Sequence, residues 1–254
     1  MNLSGISNRS VAGRLLRLPL ALIPAALPMP VLQGPLRGYW WITGSSNHGC
    51  WLGSYEYAKQ RVFARMLRAG DIVFDIGANV GFYTLLAAAR VRPEGTVVAF
   101  EPLGQNARFI HRHLRINHVD RVQVIEAAVG KRNGTVRFQP HASSAMGRVS
   151  NDGSIVVNQV ALDDLCDEAT IPDPTLMKID VEGAELNVLE GASRMLKRAH
   201  PSILLATHGA QLHSDCCDFL RGAGYSLRPI DESISSTEAT DEILATPCDT
   251  SVNA

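Results

Sequence analysis

Short apolar, β-branched runs alternate with longer amphipathic segments through the middle of the chain. In order, the pattern predicts a helix at 55–67, a strand at 72–74, a helix at 83–90, a strand at 96–100, a helix at 106–116 and a strand at 122–125. This alternation is typical of a parallel sheet with helices on both faces. The sequence therefore predicts an α/β fold with a Rossmann-like, doubly wound and mostly parallel sheet.

A polar interruption divides this pattern before it resumes. Predicted strands at 134–138 and 155–160 flank a segment at 142–153 that is rich in Ser, Gly and Asn, which indicates an inserted hairpin near the site. Beyond it the pattern predicts a strand at 176–179, a helix at 184–197, a strand at 203–206, a helix at 212–220 and a strand at 225–229. We expect residues 53–230 to form the main domain and 231–254, which lack periodicity, to be a flexible tail.

Residues 1–52 are predicted to be an N-terminal extension. The apolar segment 15–31 contains Arg17 and four prolines, which would break a membrane-spanning helix. We therefore expect this segment to rest on the domain, and contact with a membrane surface is the less favoured alternative. Further along, the segment 41–56 either packs against the sheet or folds over a bound ligand as a lid.

The overall composition sets limits on the partners and the compartment. The 24 Lys and Arg residues balance 25 Asp and Glu residues, so the net charge gives no general attraction to nucleic acid. A hydrophobic content of 46% is enough for a sizeable core. The five cysteines include no CxxC pair, and their odd number fits poorly with a secreted disulfide framework, so we expect a cytoplasmic protein.

A glycine-rich turn follows the first strand of the domain. The run from Asp75 to Gly81 reads DIGANVG, and its glycines permit a tight turn close to a ligand. The GxNxG spacing differs from the GxGxxG of dinucleotide sites, and the Asp75 carboxylate suits an ammonium group better than a pyrophosphate. Glu101 ends the second strand 20 residues after Gly81, where it can accept hydrogen bonds from both hydroxyls of a ribose. These features favour a cofactor that carries an amino acid and a ribose.

Four sequence blocks resemble the FkbM family of class I S-adenosylmethionine-dependent methyltransferases. They are FDIGANVGFYT at 74–84, FEP at 100–102, EAAV at 126–129 and KIDVEGAE at 178–185. The resemblance covers roughly 53–229 and implies the class I methyltransferase fold with S-adenosylmethionine as cofactor. It implies that the methionine part is lined by Asp75, Gly77, Asn79 and Gly81, that Glu101 holds the ribose, and that Ala127 and Ala128 lie beside the adenine. The same blocks add Ala78, Tyr83, Thr84 and Pro102 to the expected cofactor-binding residues.

The candidate catalytic residues follow the later strands, because an acceptor must approach above the carboxyl ends of the strands. Asp180 and Glu182 follow the strand at 176–179, and His208 follows the strand at 203–206. Each of these side chains can take a hydroxyl proton or orient the acceptor. Asp180 can instead be a partner of the cofactor ammonium group, and Glu182 can be a charge at a helix N-terminus. Lys178, inside its strand, is expected to make a buried hydrogen bond or ion pair.

The expected acceptor is a small molecule, because FkbM-like enzymes are usually assigned hydroxyl groups on sugars or secondary metabolites. A divalent metal can help to bind a diol through Asp180, Glu182 and His208, but their spacing does not require one, and no metal is predicted. One alternative is a nucleic-acid methyltransferase, suggested by a basic stretch of Arg108, Arg112, Arg115 and Arg121 that is more typical of a solvated helix face. The other is a non-catalytic S-adenosylmethionine-binding protein.

Overall fold

A computed structural model describes residue 20 and residues 23–140, 147–150, 152–231 and 233–248. Its strands are β1 (Pro28–Pro30), β2 (Trp40–Ile42), β3 (Ile72–Ile76), β4 (Thr96–Phe100), β5 (Val122–Ile125), β6 (Ala128–Val129), β7 (Gly134–Pro140), β8 (Gly147–Val149), β9 (Ile155–Val160), β10 (Leu176–Ile179), β11 (Ser202–Ala206), β12 (Tyr225–Pro229) and β13 (Glu242–Pro247). Its α-helices are α1 (Gly49–Leu52), α2 (Tyr57–Met66), α3 (Phe82–Val91), α4 (Gly104–Ile116), α5 (Leu162–Asp167), α6 (Glu185–Glu190), α7 (Ser193–Ala199) and α8 (Ala210–Gly222).

The central sheet of the described chain has the strand order β5-β4-β3-β10-β11-β13-β12. Every neighbouring pair is parallel except the two pairs that contain β13. The order of strands reverses between β3 and β10, and such a switch point is where open α/β sheets bind ligands at the carboxyl ends of their strands. The predicted Rossmann-like, mostly parallel sheet is confirmed.

The four central strands, β3, β4, β10 and β11, are buried on both faces of the sheet, which explains why they are almost wholly apolar. In β3, Val73 belongs to the core on one face, together with Leu85 of α3. Phe74 and Ile76 belong to the core on the other face, against Met177 of β10. Consecutive β3 side chains therefore anchor opposite faces, and the end of β3 is held rigidly where the glycine-rich turn begins.

The flexible tail expected from residue 231 needs correction. Residues 242–247 form β13, which lies antiparallel between β11 and β12. Ile243, Leu244 and Ala245 are at most 2% exposed, so this strand completes the core. Only three consecutive apolar residues mark it in a polar context, which is too short a pattern to identify. Residues 249–254 lie outside the described part of the chain.

The single helix predicted at 184–197 is two helices, α6 and α7, that are separated at Gly191. A Cβ at Gly191 would lie 2.1 Å from the carbonyl oxygen of Gly130, so the chain packs too closely here for any side chain. The Gly191 carbonyl accepts a hydrogen bond from the Asp163 amide at 2.8 Å instead of continuing the helix. The Asp163 carboxylate in turn accepts from the amides of Arg194 and Met195 and so caps the start of α7.

The described part of the N-terminal extension packs on the domain. Trp41 is fully buried and stacks on the imidazole of His113 in α4, with ring centroids 3.8 Å apart. His113 Nε2 accepts a hydrogen bond from the Ile42 amide, and its Nδ1 lies 2.9 Å from the carbonyl oxygen of Val80. Burial lowers the pKa of His113 to about 4, so a neutral imidazole joins the extension to the glycine-rich turn.

Residues 15–19, 21 and 22 of the apolar segment 15–31 lie outside the described residues, so the expectation that they rest on the domain is not tested. In the portion of the chain that the structure describes, no helix combines the length and apolar character needed to cross a membrane. The predicted hairpin insertion is confirmed: β7 and β9 pair antiparallel, β8 joins β7, and β6 joins β9.

Candidate active site

The glycine-rich turn after β3 is fixed by its backbone. The amides of Gly77 and Ala78 both donate to the carbonyl oxygen of Phe100 at the end of β4, at 3.1 and 3.0 Å. Gly77 has φ +76°, and a Cβ there would lie 1.9 Å from the carbonyl oxygen of Asp180. Only glycine satisfies both conditions, and the turn therefore lies directly against the end of β10.

Asp75, the last but one residue of β3, helps to hold this turn in place through buried polar contacts. Its side chain is fully buried, and it accepts a hydrogen bond from Thr84 Oγ1 at 2.6 Å. Lys178 Nζ lies 3.3 Å from Asp75 Oδ1 and donates to the carbonyl oxygen of Gly77 at 2.9 Å. The buried ion pair expected for Lys178 is thus present, and it ties β10, β3 and the turn together.

Most of the predicted site residues meet in one cavity at the carboxyl ends of the strands. Its walls include these predicted residues: Gly77, Ala78, Asn79, Tyr83, Glu101, Pro102, Ala127, Ala128, Asp180, Glu182 and His208. Asp75, Gly81 and Thr84 are not among the described residues that line it. The resemblance implied that Asp75 contacts the cofactor directly. In this structure its carboxylate instead accepts a hydrogen bond from Thr84 and forms an ion pair with Lys178.

Asn79, one of the residues that line this cavity, has an unused acceptor. Its Oδ1 is buried and has no hydrogen-bond partner among the described residues, and its backbone is left-handed with φ +53°. An unpaired buried carbonyl oxygen costs roughly 1–3 kcal/mol, so a ligand that donates a hydrogen bond here removes that cost. An ammonium group meets this requirement.

Glu101 lies at the end of β4 and is almost fully buried. Its Oε2 accepts from the Asn79 amide at 2.8 Å, and its Oε1 accepts from the Leu103 amide and Asn106 Nδ2 at 3.0 and 3.1 Å. Burial raises the pKa of Glu101 to about 7. A carboxylate has about four acceptor positions; three are used, so the fourth can receive one ribose hydroxyl. Acceptance of both hydroxyls would require Glu101 to release one present donor.

Asp180, Glu182 and His208 form a cluster that also lines the cavity. His208 Nε2 lies 3.3 Å from Glu182 Oε2 and 3.9 Å from Asp180 Oδ1. Its Nδ1 lies 2.8 Å from Oε1 of the buried Glu185. This hydrogen bond, together with the nearby carboxylates, raises the pKa of His208 to about 8. His208 alone is therefore largely protonated at neutral pH, which weakens its predicted role as a base.

The pattern did not indicate Lys59, whose ammonium group contacts Asp180 of this cluster. Its Nζ lies 3.2 Å from Asp180 Oδ2, 2.9 Å from Glu242 Oε1 and 3.5 Å from Glu56 Oε2, and its side chain is only 4% exposed. Burial acts to raise the pKa of Asp180, but Lys178 and Lys59 outweigh it and hold that pKa below its usual value. A signal did exist: Lys59 precedes Phe63 by four residues, on the apolar stripe of α2.

Segments outside the recognised motifs complete the cavity. Its wall includes Ser46 and Cys50 of the extension, Tyr55 shortly after it, and Phe138, Gly147 and Val149 of the inserted hairpin. The inserted hairpin was expected near the site, and a position of segment 41–56 over the ligand was one of two alternatives; both regions contribute lining residues here. The arginines of the basic stretch on α4 and after it are exposed and are not among the described residues that line the cavity.

This sheet order, with its one antiparallel strand beside β12 and its glycine-rich turn after β3, defines a class I S-adenosylmethionine-dependent methyltransferase fold. Residues 75–227, more than half of the chain, match the sequence profile of the methyltransferase FkbM domain. The chain belongs to the FkbM family of methyltransferases. The predicted family and fold class are thereby confirmed.

Individual relatives agree with this assignment. The hexuronic acid methyltransferase AglP of Haloferax volcanii is 30% identical over 131 residues, which are 50% of this chain and 52% of that protein. The 31-O-demethyl-FK506 methyltransferase FkbM of Streptomyces tacrolimicus is 32% identical over 161 residues, covering 49% of this chain and 60% of that protein. The chain thus spans little more than half the length of these relatives. A solved FkbM methyltransferase from Methylobacillus flagellatus has a similar fold, with a TM-score of 0.52 and 21% identity, over 70% of this chain and 43% of that one.

Proposed function

We propose that this protein transfers a methyl group from S-adenosylmethionine to a hydroxyl group of a sugar or another small metabolite, a reaction of class EC 2.1.1. One observation carries the proposal: the glycine-rich turn and Glu101 line the same cavity as Asp180, Glu182 and His208. Chemistry between a bound cofactor and a hydroxyl needs both groups of residues around one space.

The lining residues near the glycine-rich turn and Glu101 fit S-adenosylmethionine. Asn79 offers a buried acceptor without a partner among the described residues, which suits the ammonium group of the methionine part. Glu101 keeps one acceptor position for a ribose hydroxyl, and Ala127 and Ala128 provide an apolar surface for the adenine. When bound, S-adenosylmethionine supplies a methyl group activated by its sulfonium centre.

The carboxylates of Asp180 and Glu182 suit a hydroxyl acceptor. Asp180 stays ionised because Lys178 and Lys59 hold its pKa low, so it accepts the hydrogen bond of a hydroxyl and orients its oxygen. Glu182 presents a second carboxylate beside it. An aligned acceptor oxygen is the main requirement for methyl transfer, because intramolecular orientation alone lowers barriers by about 7–11 kcal/mol.

The names of the relatives support the class of acceptor. One is named for a hexuronic acid, and the other is named for the compound 31-O-demethyl-FK506. Both names describe small molecules. In this chain the inserted hairpin and the extension contribute residues to the cavity lining, and we expect them to select the particular acceptor.

Two measurements test this function. Calorimetric titration of the full chain with S-adenosylmethionine is expected to show one site that Asn79→Gly weakens, because this variant keeps the left-handed backbone and removes only the amide. The matched control Asn187→Ala changes an exposed residue of α6 and is expected to bind normally. Absence of binding by the folded chain would refute the proposal.

The acceptor class is then tested with isotope-labelled cofactor and a pool of sugars, glycosides and hydroxylated secondary metabolites. Mass spectrometry is expected to find a labelled product whose methyl group is on oxygen. Asp180→Asn should lower its formation while leaving cofactor binding in place. A product methylated only on nitrogen would contradict the assignment of a hydroxyl acceptor.

A further inference from the structure

Three potential metal ligands converge on one point of the cavity wall. One ligand atom each from Asp180, Glu182 and His208 lies within 4.8 Å of the other two. Ligand atoms around a cation with bonds of about 2.0–2.6 Å are separated by roughly such distances. The two carboxylate oxygens that face His208, Asp180 Oδ1 and Glu182 Oε2, lie 3.9 and 3.3 Å from its Nε2.

His208 is oriented for coordination by a residue outside the three. Its Nδ1 pairs at 2.8 Å with Oε1 of Glu185, whose side chain is fully buried. A carboxylate on one nitrogen fixes the tautomer and directs the lone pair of the other nitrogen outward, the arrangement that typically supports metal-bound histidines. In the neutral form of His208, Nε2 can thus bind a cation, which displaces the proton, and it lies towards Asp180 and Glu182.

The two carboxylate oxygens of Asp180 also have different partners. Lys59 holds its Oδ2 at 3.2 Å, which leaves Oδ1 as the oxygen that faces His208. Lys59 and His208 contact five carboxylates in this region: Glu56, Asp180, Glu182, Glu185 and Glu242. The excess of negative charge favours a further cation.

We propose that Asp180 Oδ1, Glu182 Oε2 and His208 Nε2 form a binding site for a divalent cation, with Glu185 as the residue that orients His208. One imidazole and two carboxylates suit Mn²⁺ or Zn²⁺ better than Ca²⁺. Three protein ligands leave open positions towards the cavity, as in catalytic metal sites. Resting on the proposed function, this cation would bind the acceptor hydroxyl, orient it and lower its pKa.

Titration of the chelator-treated, dialysed full chain with Mn²⁺ alone tests this site, with free Mn²⁺ measured by electron paramagnetic resonance. We expect one Mn²⁺ per chain. His208→Ala and Glu182→Gln should each weaken its binding about tenfold or more, and Glu185→Gln about 10–100-fold. The controls His111→Ala and Glu94→Gln change exposed residues and should bind Mn²⁺ as the unaltered chain does.

Absence of Mn²⁺ binding up to about 1 mM, the weak end of protein affinities for divalent cations, would overturn the site. Binding that survives both His208→Ala and Glu182→Gln would overturn it as well. A parallel titration with S-adenosylmethionine separates the two proposals. If the cofactor binds and methyl transfer proceeds fully without Mn²⁺ binding, the metal site falls and the proposed function stands. If Mn²⁺ binds but the cofactor does not, the proposed function falls and the metal site stands.

Discussion

Lys59 Nζ lies 3.2 Å from Oδ2 of Asp180, although 121 residues separate them along the chain. The same ammonium group contacts Glu56 and Glu242, so it connects α2, the end of β10 and β13. Burial acts to lower the pKa of Lys59, but these carboxylates, with Asp180 first, raise it above its usual value. A charged lysine is therefore part of the wall that faces the acceptor.

Replacement of Lys59 by Met is expected to destabilise the fold. It leaves three carboxylates without their shared cation, and removal of one partner from a buried ion pair costs about 3–5 kcal/mol. Lys59→Arg, which keeps the charge, should lose less. Urea unfolding measures the free energy of unfolding of both variants. The control Lys131→Met removes an exposed ion pair with Glu190, which is worth at most about 1 kcal/mol; equal losses for Lys59→Met and Lys131→Met would contradict the role of Lys59.

Gly77→Ala should abolish the binding of S-adenosylmethionine. The new Cβ would meet the carbonyl oxygen of Asp180 at 1.9 Å, so the turn must move away from the cavity wall. Gly70→Ala is a matched control, because Gly70 also has a positive φ of +87°, but a Cβ at this position would have no described atom within 4 Å. Backbone strain alone, about 1–2 kcal/mol, should leave cofactor binding by Gly70→Ala intact. Normal binding by Gly77→Ala would show that the turn is not part of the site.

The turn and its strand could be predicted from sequence because their signals are local. An apolar run, Gly77 and Gly81 at fixed spacing, and Glu101 after the next run all lie within one segment. The side to which Asp75 points could not be predicted, since it depends on Thr84 and on Lys178 from a strand far along the chain. The same limit explains why Lys59 and β13 were missed: their partners are distant in sequence, and their own patterns are short.

Asp163→Ala should destabilise α7 without a direct effect on the cofactor site. The Asp163 carboxylate accepts from the amides of Arg194 and Met195 at 3.0 and 2.8 Å, and loss of a capping side chain costs about 0.5–2 kcal/mol. Asp164→Ala, at a more exposed neighbour whose carboxylate pairs with the Arg194 side chain, should cost less. Thermal unfolding measures the difference, and calorimetry should find the affinity for S-adenosylmethionine unchanged. A loss of affinity equal to that of a site variant would contradict the assignment of Asp163 to helix capping alone.

The affinity for S-adenosylmethionine should rise with pH through the pKa of Glu101. Burial raises this pKa to about 7, so near neutral pH the side chain is only partly ionised in the free protein. The carboxylate accepts hydroxyl hydrogen bonds more strongly than the neutral acid, and binding therefore releases a proton. Below the pKa, the dissociation constant should increase by up to about tenfold per pH unit. Above about pH 8, one unit beyond that pKa, it should be nearly constant.

The same ionisation affects stability with the opposite sign. Because the folded pKa of Glu101 exceeds the unfolded value, the favourable contribution of the neutral acid is present below the unfolded pKa and is lost as pH rises towards about 7. Glu101→Gln cannot ionise and should flatten both profiles over this range. Calorimetric titrations and urea unfolding across the range provide the data. A pH profile of affinity that is unchanged in Glu101→Gln would exclude Glu101 as the group responsible and leave its contact with the ribose without support.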